Sequence, residues 1–242
     1  MKDNFSSHSS EYARYRPGYP PELFEFLINT VRDKEIAWDC GTGNGQVAAE
    51  LAKFFLKVDA SDISRQQLEN ALEKPNINYS IQRAEKTNFP DDHFDLITVA
   101  QAIHWFDFEA FYAEVRRTLK PEGVLAVMGY GLFRSNDATD KVIKHFYEQI
   151  IGPYWDEERR YLEEEYKSIP FPFEELKTPQ FEHRLQWSFE HLLGYLNSWS
   201  AVKHYEKAEN RNPVALIEQE LRKSFGNEGE VIFPILFRVG KL

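Results

Sequence analysis

The chain has almost no sulfur and no excess of positive charge, and each shortage closes off a class of function. A single cysteine, Cys40, stands among 242 residues. No internal disulfide can form, and no thiolate zinc framework is available. Seven histidines are scattered without a paired ligand spacing, so no metal is expected. No apolar run approaches the ~20 residues that span a bilayer. The N-terminal "MKDNFSSHSSEYARYR" also lacks the apolar centre of a signal peptide. These readings predict a cytoplasmic protein with no membrane partner. Lysine and arginine number 29 against 39 aspartates and glutamates, a net charge of −10. A polyanion would meet repulsion over most of such a surface, which argues against a nucleic-acid partner.

What the chain does have is 42% hydrophobic residues and 15% aromatics, enough for one substantial core and an aromatic-walled pocket. From residue 35, "EIAWD", "KVDAS", "INYSIQ", "FDLITVA" and "GVLAVMGY" read as strands, with helices over 46–55, 64–72 and 108–119 between them. That alternation predicts a parallel sheet covered on both faces. The rhythm changes after residue 132. A helix, then "GPYW", the charged run "DEERRYLEEEYK" and the proline-spaced "IPFPFEELKTP" predict a small helical cap inserted over 133–180. Within it, the charged run reads as a solvated helix face. Strands return in "FEHRLQWSF" and "EGEVIFPILFRVG", with helices around 192–202 and 213–225. A chain ending strand, helix, strand calls for an antiparallel final strand. The expectation is one α/β domain over 1–242 with a Rossmann-like, seven-stranded mixed sheet.

Residues 36–47, "IAWDCGTGNGQV", run from a strand through three alternating glycines into a helix. Gly41, Gly43 and Gly45 let a ligand approach the bare main chain, as nucleotide-type cofactors require. The stretch "GNGQVA" fits the G-x-G-x-x-A dinucleotide pattern, and Asp62 follows Asp39 by 23 residues, so a nicotinamide cofactor is one alternative. Charge favours another. An acid at Asp39, facing the ligand, repels a diphosphate but attracts the ammonium and sulfonium of S-adenosylmethionine. Asp62, closing the second strand, can accept two ribose hydroxyls, and Ile63 offers adenine an apolar face. After the third strand, Ala84 and Glu85 can meet the adenine edge.

The sequence resembles the class I S-adenosylmethionine-dependent methyltransferases, and within them the small-molecule group that includes the fungal trans-aconitate methyltransferases. The likeness rests on "YARYRPGYPPEL", "DCGTGNG", "SDIS", "AQAIHWFDFEAFY", "GYG", "GPYW" and "SWSAV", which together run from Tyr12 to Val202. It implies the sheet order 3-2-1-4-5-7-6, with S-adenosyl-L-methionine at the C-terminal ends of the first strands. It implies a cofactor lining of Asp39, Gly41, Gly43, Asp62, Ile63, Ala84, Glu85 and Gln101. Two departures stand out: Gln67 occupies a place where relatives often carry an apolar residue, and the middle of the cap is shorter and more acidic.

Four residues are expected at the reacting end. His104 and Trp105 follow the fourth strand, where Trp105 would wall the methyl-transfer site and His104 would orient the acceptor or act as its base. Tyr12 and Arg16 belong to an N-terminal lid over residues 1–30, with Arg16 as a two-pronged clamp for a carboxylate. Tyr130, Tyr154 and Trp155 are further candidate walls. The reading is methyl transfer to a small molecule, a di- or tricarboxylic acid such as trans-aconitate first. The alternatives are an NAD(P)-dependent oxidoreductase, a non-catalytic cofactor binder, or a methyltransferase of protein or tRNA.

Overall fold

The computed structural model describes residues 14–242; Tyr12, expected in the lid, lies outside them. The centre is a sheet whose first five strands are parallel neighbours: β1 Ile36–Cys40, β2 Lys57–Asp62, β3 Ile77–Ile81, β4 Phe94–Ala100 and β5 Leu119–Tyr130. The long last strand β8, Glu228–Lys241, pairs antiparallel with β5 from Val124–Lys241 to Tyr130–Ile235. Beyond it lie β7, Phe181–Ser188, and a two-residue β6, Glu174–Glu175, both antiparallel to β8. Leaving the short β6 aside, the order is the expected 3-2-1-4-5-7-6. The inner strands read as unbroken apolar runs because both faces are covered: β4 is buried along almost its whole length.

Helix α1, Pro21–Thr30, opens on a proline at its first turn and buries Leu23, Phe24, Leu27 and Ile28. With α2, Gln46–Leu51, it covers one face of the sheet. The opposite face is covered by α4, Phe108–Thr118, whose N-cap Asp107 accepts from the Ala110 amide, and its Phe111 and Val115 pack in one cluster with Trp38 and Phe94. Helix α3, Arg65–Glu69, is capped by Ser64 and is shorter than the expected 64–72. A third cluster forms where β7 and β8 run past the parallel strands. There α5 (Asp137–His145), α7 (Phe189–Asn197), α8 (Ser200–Glu209) and α9 (Glu218–Phe225) gather around Phe133, Trp187, Tyr195, Trp199 and Phe233.

Two segments differ from the sequence reading. The charged run is not one solvated helix: it forms a single 3-10 turn, Glu157–Arg159, and the short α6, Arg160–Glu163. Its end turns sharply at Glu165 and Tyr166, both left-handed, because the Tyr166 ring is drawn wholly into the core. The second difference is at "KPEG", residues 120–123, which lies between the expected helix over 108–119 and the strand core of "GVLAVMGY". It is absorbed as an irregularity in β5, the register jumping from Phe94–Leu119 to Leu96–Val124. Lys120 in that segment reaches Asp95 Oδ1 at 2.8 Å and Glu35 Oε2 at 2.9 Å. Asp95 Oδ2 in turn accepts the Glu35 and Ile36 amides, each at 2.9 Å, which pins the start of β1.

Because Asp95 is buried and satisfies two main-chain amides besides Lys120, Asp95→Ala leaves three donors short of a partner. Urea unfolding is expected to show a loss of about 2–4 kcal/mol; a loss below about 1 kcal/mol would contradict this role.

Candidate functional site

The turn after β1 is built by glycines that no other residue replaces without strain. Gly41 has φ +69°, and a Cβ there would sit 2.7 Å from Ala102 Cβ. Gly43 has φ +56°, and a Cβ would meet nothing nearer than Gln67 Oε1 at 4.0 Å. At that point the bare main chain faces open space, so a ligand can rest against it. The Asp39 carboxylate differs from expectation. It does not line the cleft; it is 1% exposed and turned into the protein. Its Oδ2 accepts from Thr42 Oγ1 at 2.5 Å and the Ala48 amide at 3.1 Å, and its Oδ1 from Thr98 Oγ1 at 2.8 Å. The physical reason is local: a turn this tight brings donors from the turn, the helix start and β4 onto one acid. Burial outweighs those hydrogen bonds and raises its pKa to about 6.

Below the turn opens a cleft that is partly open to solvent. Gly41, Gly43, Asp62 and Ile63 line one side, and Gln101, Trp105 and Arg16 the other. Asp62 Oδ2 accepts the Gly43 amide at 2.9 Å and Oδ1 the Ser64 amide at 2.8 Å. Gln67 is buried and lines the cleft. Ala84 and Glu85 are not in that lining. Ala84 is buried in the cluster that holds Cys40 and Phe106, while Glu85 Oε1 accepts the Asp107 amide at 3.3 Å and Oε2 pairs with Arg83 Nε at 3.3 Å. The electrostatic character is negative. The buried Cys40 thiol is pushed up first by burial and then by Asp39, Asp62 and Glu85.

A second, smaller chamber adjoins the first through Arg16, Gln101 and Trp105, which line both. Its remaining walls include His104, Leu162 and Trp199, together with Trp155, Asp156 and Arg159. Arg16 Nη2 donates to the Ser198 carbonyl at 2.9 Å, Nη1 lies 3.5 Å from Tyr130 Oη, and the guanidinium lies over the Tyr195 ring. This contact joins "YARYRPGYPPEL" to "SWSAV", two stretches far apart in sequence. His104 is 6% exposed, its Nδ1 3.4 Å from Tyr166 Oη. Burial first, and then the charge of Arg159, lower its pKa to about 3. Tyr130 lines the cleft and Trp155 the chamber; Tyr154 lines neither, its hydroxyl donating to Glu209 at 2.9 Å.

The sequence reading missed Pro17 and Tyr19 at the cleft mouth and Asp156, Arg159, Leu162 and Trp199 in the chamber. The two arginines of "DEERRY" follow an aromatic "PYW", a signal for cation–π stacking that was available in the sequence. Among the described residues no helix is long and apolar enough to cross a membrane, and no cluster of three metal-ligating side chains occurs.

Comparison with known proteins follows the same geometry. The family model described as a methyltransferase domain matches residues 38–127, from β1 into β5. A Dictyostelium discoideum protein, provisionally named a methyltransferase, is 37% identical over 99% of this chain and 95% of its own length. An uncharacterized methyltransferase of Schizosaccharomyces pombe is 26% identical over 96% and 93% respectively. Among solved structures, one from Anaeromyxobacter dehalogenans, provisionally named a type II methyltransferase, is 37% identical, covers 94% of this chain and 98% of that one, and superposes with a TM-score of 0.87.

The buried Asp39 sets a pH dependence. Its folded pKa, about 6, lies above the ordinary aspartate value of 3.8, so between those values the folded chain holds a proton that the unfolded chain has lost. Stability therefore falls as pH rises through that window, by about 3 kcal/mol in total. Urea unfolding at pH 4 and pH 7.5 is expected to show that fall in the wild type and not in Asp39→Asn; equal slopes in the two proteins would contradict it.

Proposed function

This chain belongs to the class I S-adenosylmethionine-dependent methyltransferases, and on that footing we propose that it methylates a small carboxylic acid, a di- or tricarboxylate such as trans-aconitate. The nicotinamide alternative falls with the family. The cofactor reading fits the residues present: a bare glycine turn at Gly43, a carboxylate on the cleft wall at Asp62, and an apolar neighbour at Ile63. In this reading Gly41, Gly43, Asp62, Ile63 and Gln101 hold the cofactor directly. Asp39 shapes the turn from behind, and Ala84 and Glu85 back the wall. When bound, S-adenosylmethionine supplies an activated methyl group: an acceptor lone pair forms the new bond as the carbon–sulfur bond breaks, and the electron pair leaves on sulfur as a neutral thioether.

The observation that carries the carboxylate reading is the weakness of His104 as a base. An imidazole with a pKa of about 3 removes few protons at neutral pH. A phenol or an ammonium group needs such help; a carboxylate is already an anion, and its methylation releases no proton. His104 then orients the acceptor, and Trp105, on the wall shared by cleft and chamber, excludes water and aligns the reacting atoms. Arg16 steadies the reacting carboxylate. The N-terminal segment acts as a lid and the 133–180 segment as a cap, an arrangement that suits a small-molecule acceptor rather than a macromolecule. A cytoplasmic location is consistent with the −10 net charge.

A screen of carboxylic acids, phenols and amines with methyl-labelled cofactor is expected to label the acids, and hydroxide should release that label as volatile methanol, the signature of a methyl ester. Base-stable label on a phenol or an amine would contradict the reading. With an acid acceptor, His104→Asn is expected to reduce kcat by less than about tenfold and to leave the shape of the pH–rate profile near neutrality unchanged. Loss of an ionisation from that profile would restore His104 as a base.

A further inference from the structure

We infer that Arg159 is the second anion anchor of the acceptor chamber, and that it selects acids carrying a second carboxylate remote from the one that is methylated. This rests on the carboxylate reading above and extends it to specificity. The 3-10 turn that carries Arg159 packs against the turn that carries His104 and Trp105. Its guanidinium is presented to the chamber in a fixed pose. Trp155 lies beneath it at 4.6 Å and Tyr147 at 5.4 Å, while Nε donates to Tyr147 Oη at 2.8 Å. Tyr147 Oη in turn donates to Glu163 at 2.7 Å. Tyr147 sits in a π-helical turn, Phe146–Ile150, the kind of irregularity that often re-aims a side chain at a site.

Among the described residues, the hydrogen bonds and ion pairs of Arg159 use Nε and leave Nη1 and Nη2 for a ligand. Those two nitrogens form the fork that binds a carboxylate through parallel hydrogen bonds. Arg16, by contrast, already gives Nη2 to Ser198 and lies at the junction with the cofactor cleft. The two arginines therefore divide the work, Arg16 at the reacting end and Arg159 at the far end, with tryptophans between them. Charge agrees. Among the described lining residues, two guanidinium groups, with the cofactor's sulfonium, face one carboxylate, Asp156, and His104 is neutral, so a dianion balances the chamber. A monoacid leaves the Arg159 fork facing water or a hydrocarbon tail.

The test compares fumarate with crotonate, which replaces one carboxylate by a methyl group. It uses wild-type, Arg159→Gln and Tyr147→Phe proteins. The wild type is expected to favour fumarate in kcat/KM by about tenfold or more, and Arg159→Gln to bring that ratio close to one, mainly through KM. Tyr147→Phe, which removes the acceptor that orients Arg159, should lower the ratio partway. In calorimetry with S-adenosylhomocysteine present, Arg159→Gln should lose fumarate binding while keeping affinity for S-adenosylhomocysteine. A fumarate preference that survives Arg159→Gln, or no preference in the wild type, overturns the role of Arg159 and leaves the carboxylate reading intact. Methylation of phenols or amines but of neither acid, with S-adenosylhomocysteine still bound, overturns both.

Discussion

One buried carboxylate holds the working end of this molecule together. Asp39, at the end of β1, takes donors from the glycine turn, from the first turn of α2 and from β4. It thereby fixes three elements whose relative placement defines the cleft. The arrangement is costly, since burial makes the charged form harder to keep. It persists because each acid oxygen has a partner and because the turn has no slack: Gly41 sits hard against Ala102. With the turn locked, the Gly43 amide falls within 2.9 Å of Asp62, and the exposed main chain is presented to whatever the cleft takes in.

Two spaces with different builders meet at that point. The cleft comes from the ends of the parallel strands. The chamber comes from the segments after β5 and from the helices stacked on the extended β7–β8 pair. Gln101 belongs to both and shows how firmly the junction is held. It adopts a left-handed φ of 52°, uncommon for a residue with a side chain, with its amide bonded to Met128 and its side chain to the Tyr130 carbonyl. Strain of this kind is kept where surrounding contacts over-determine it. A methyl transfer needs two reactants aligned across a shared boundary, and rigid residues at that boundary reduce the entropy lost in alignment.

Much of the sheet was legible because its signals are local. Apolar runs such as "FDLITVA" and "GVLAVMGY" and the glycine turn specify strands and a ligand loop without reference to distant residues. The direction in which Asp39 points was only partly legible, since Thr42 and Ala48 lie close by in sequence but its third donor, Thr98, lies 59 residues away. The negative character of the site was anticipated, but Asp62, rather than Asp39, is the acid that lines the cleft. Arg159 was hidden for a similar reason. A run of mixed charge reads as a solvated face until the aromatic partners Tyr147 and Trp155 are seen to gather one of its arginines inward. The fate of the Arg16 side chain likewise depends on Ser198, 182 positions along the chain.

The most direct measurement is a calorimetric titration of the purified protein with S-adenosylhomocysteine and, separately, with NADH. A cleft whose lining acid is Asp62 and whose turn is braced by a buried Asp39 should bind S-adenosylhomocysteine with one site per chain and give no heat with the diphosphate-bearing NADH at equal concentration. Saturable NADH binding without any for S-adenosylhomocysteine would contradict the account at its root.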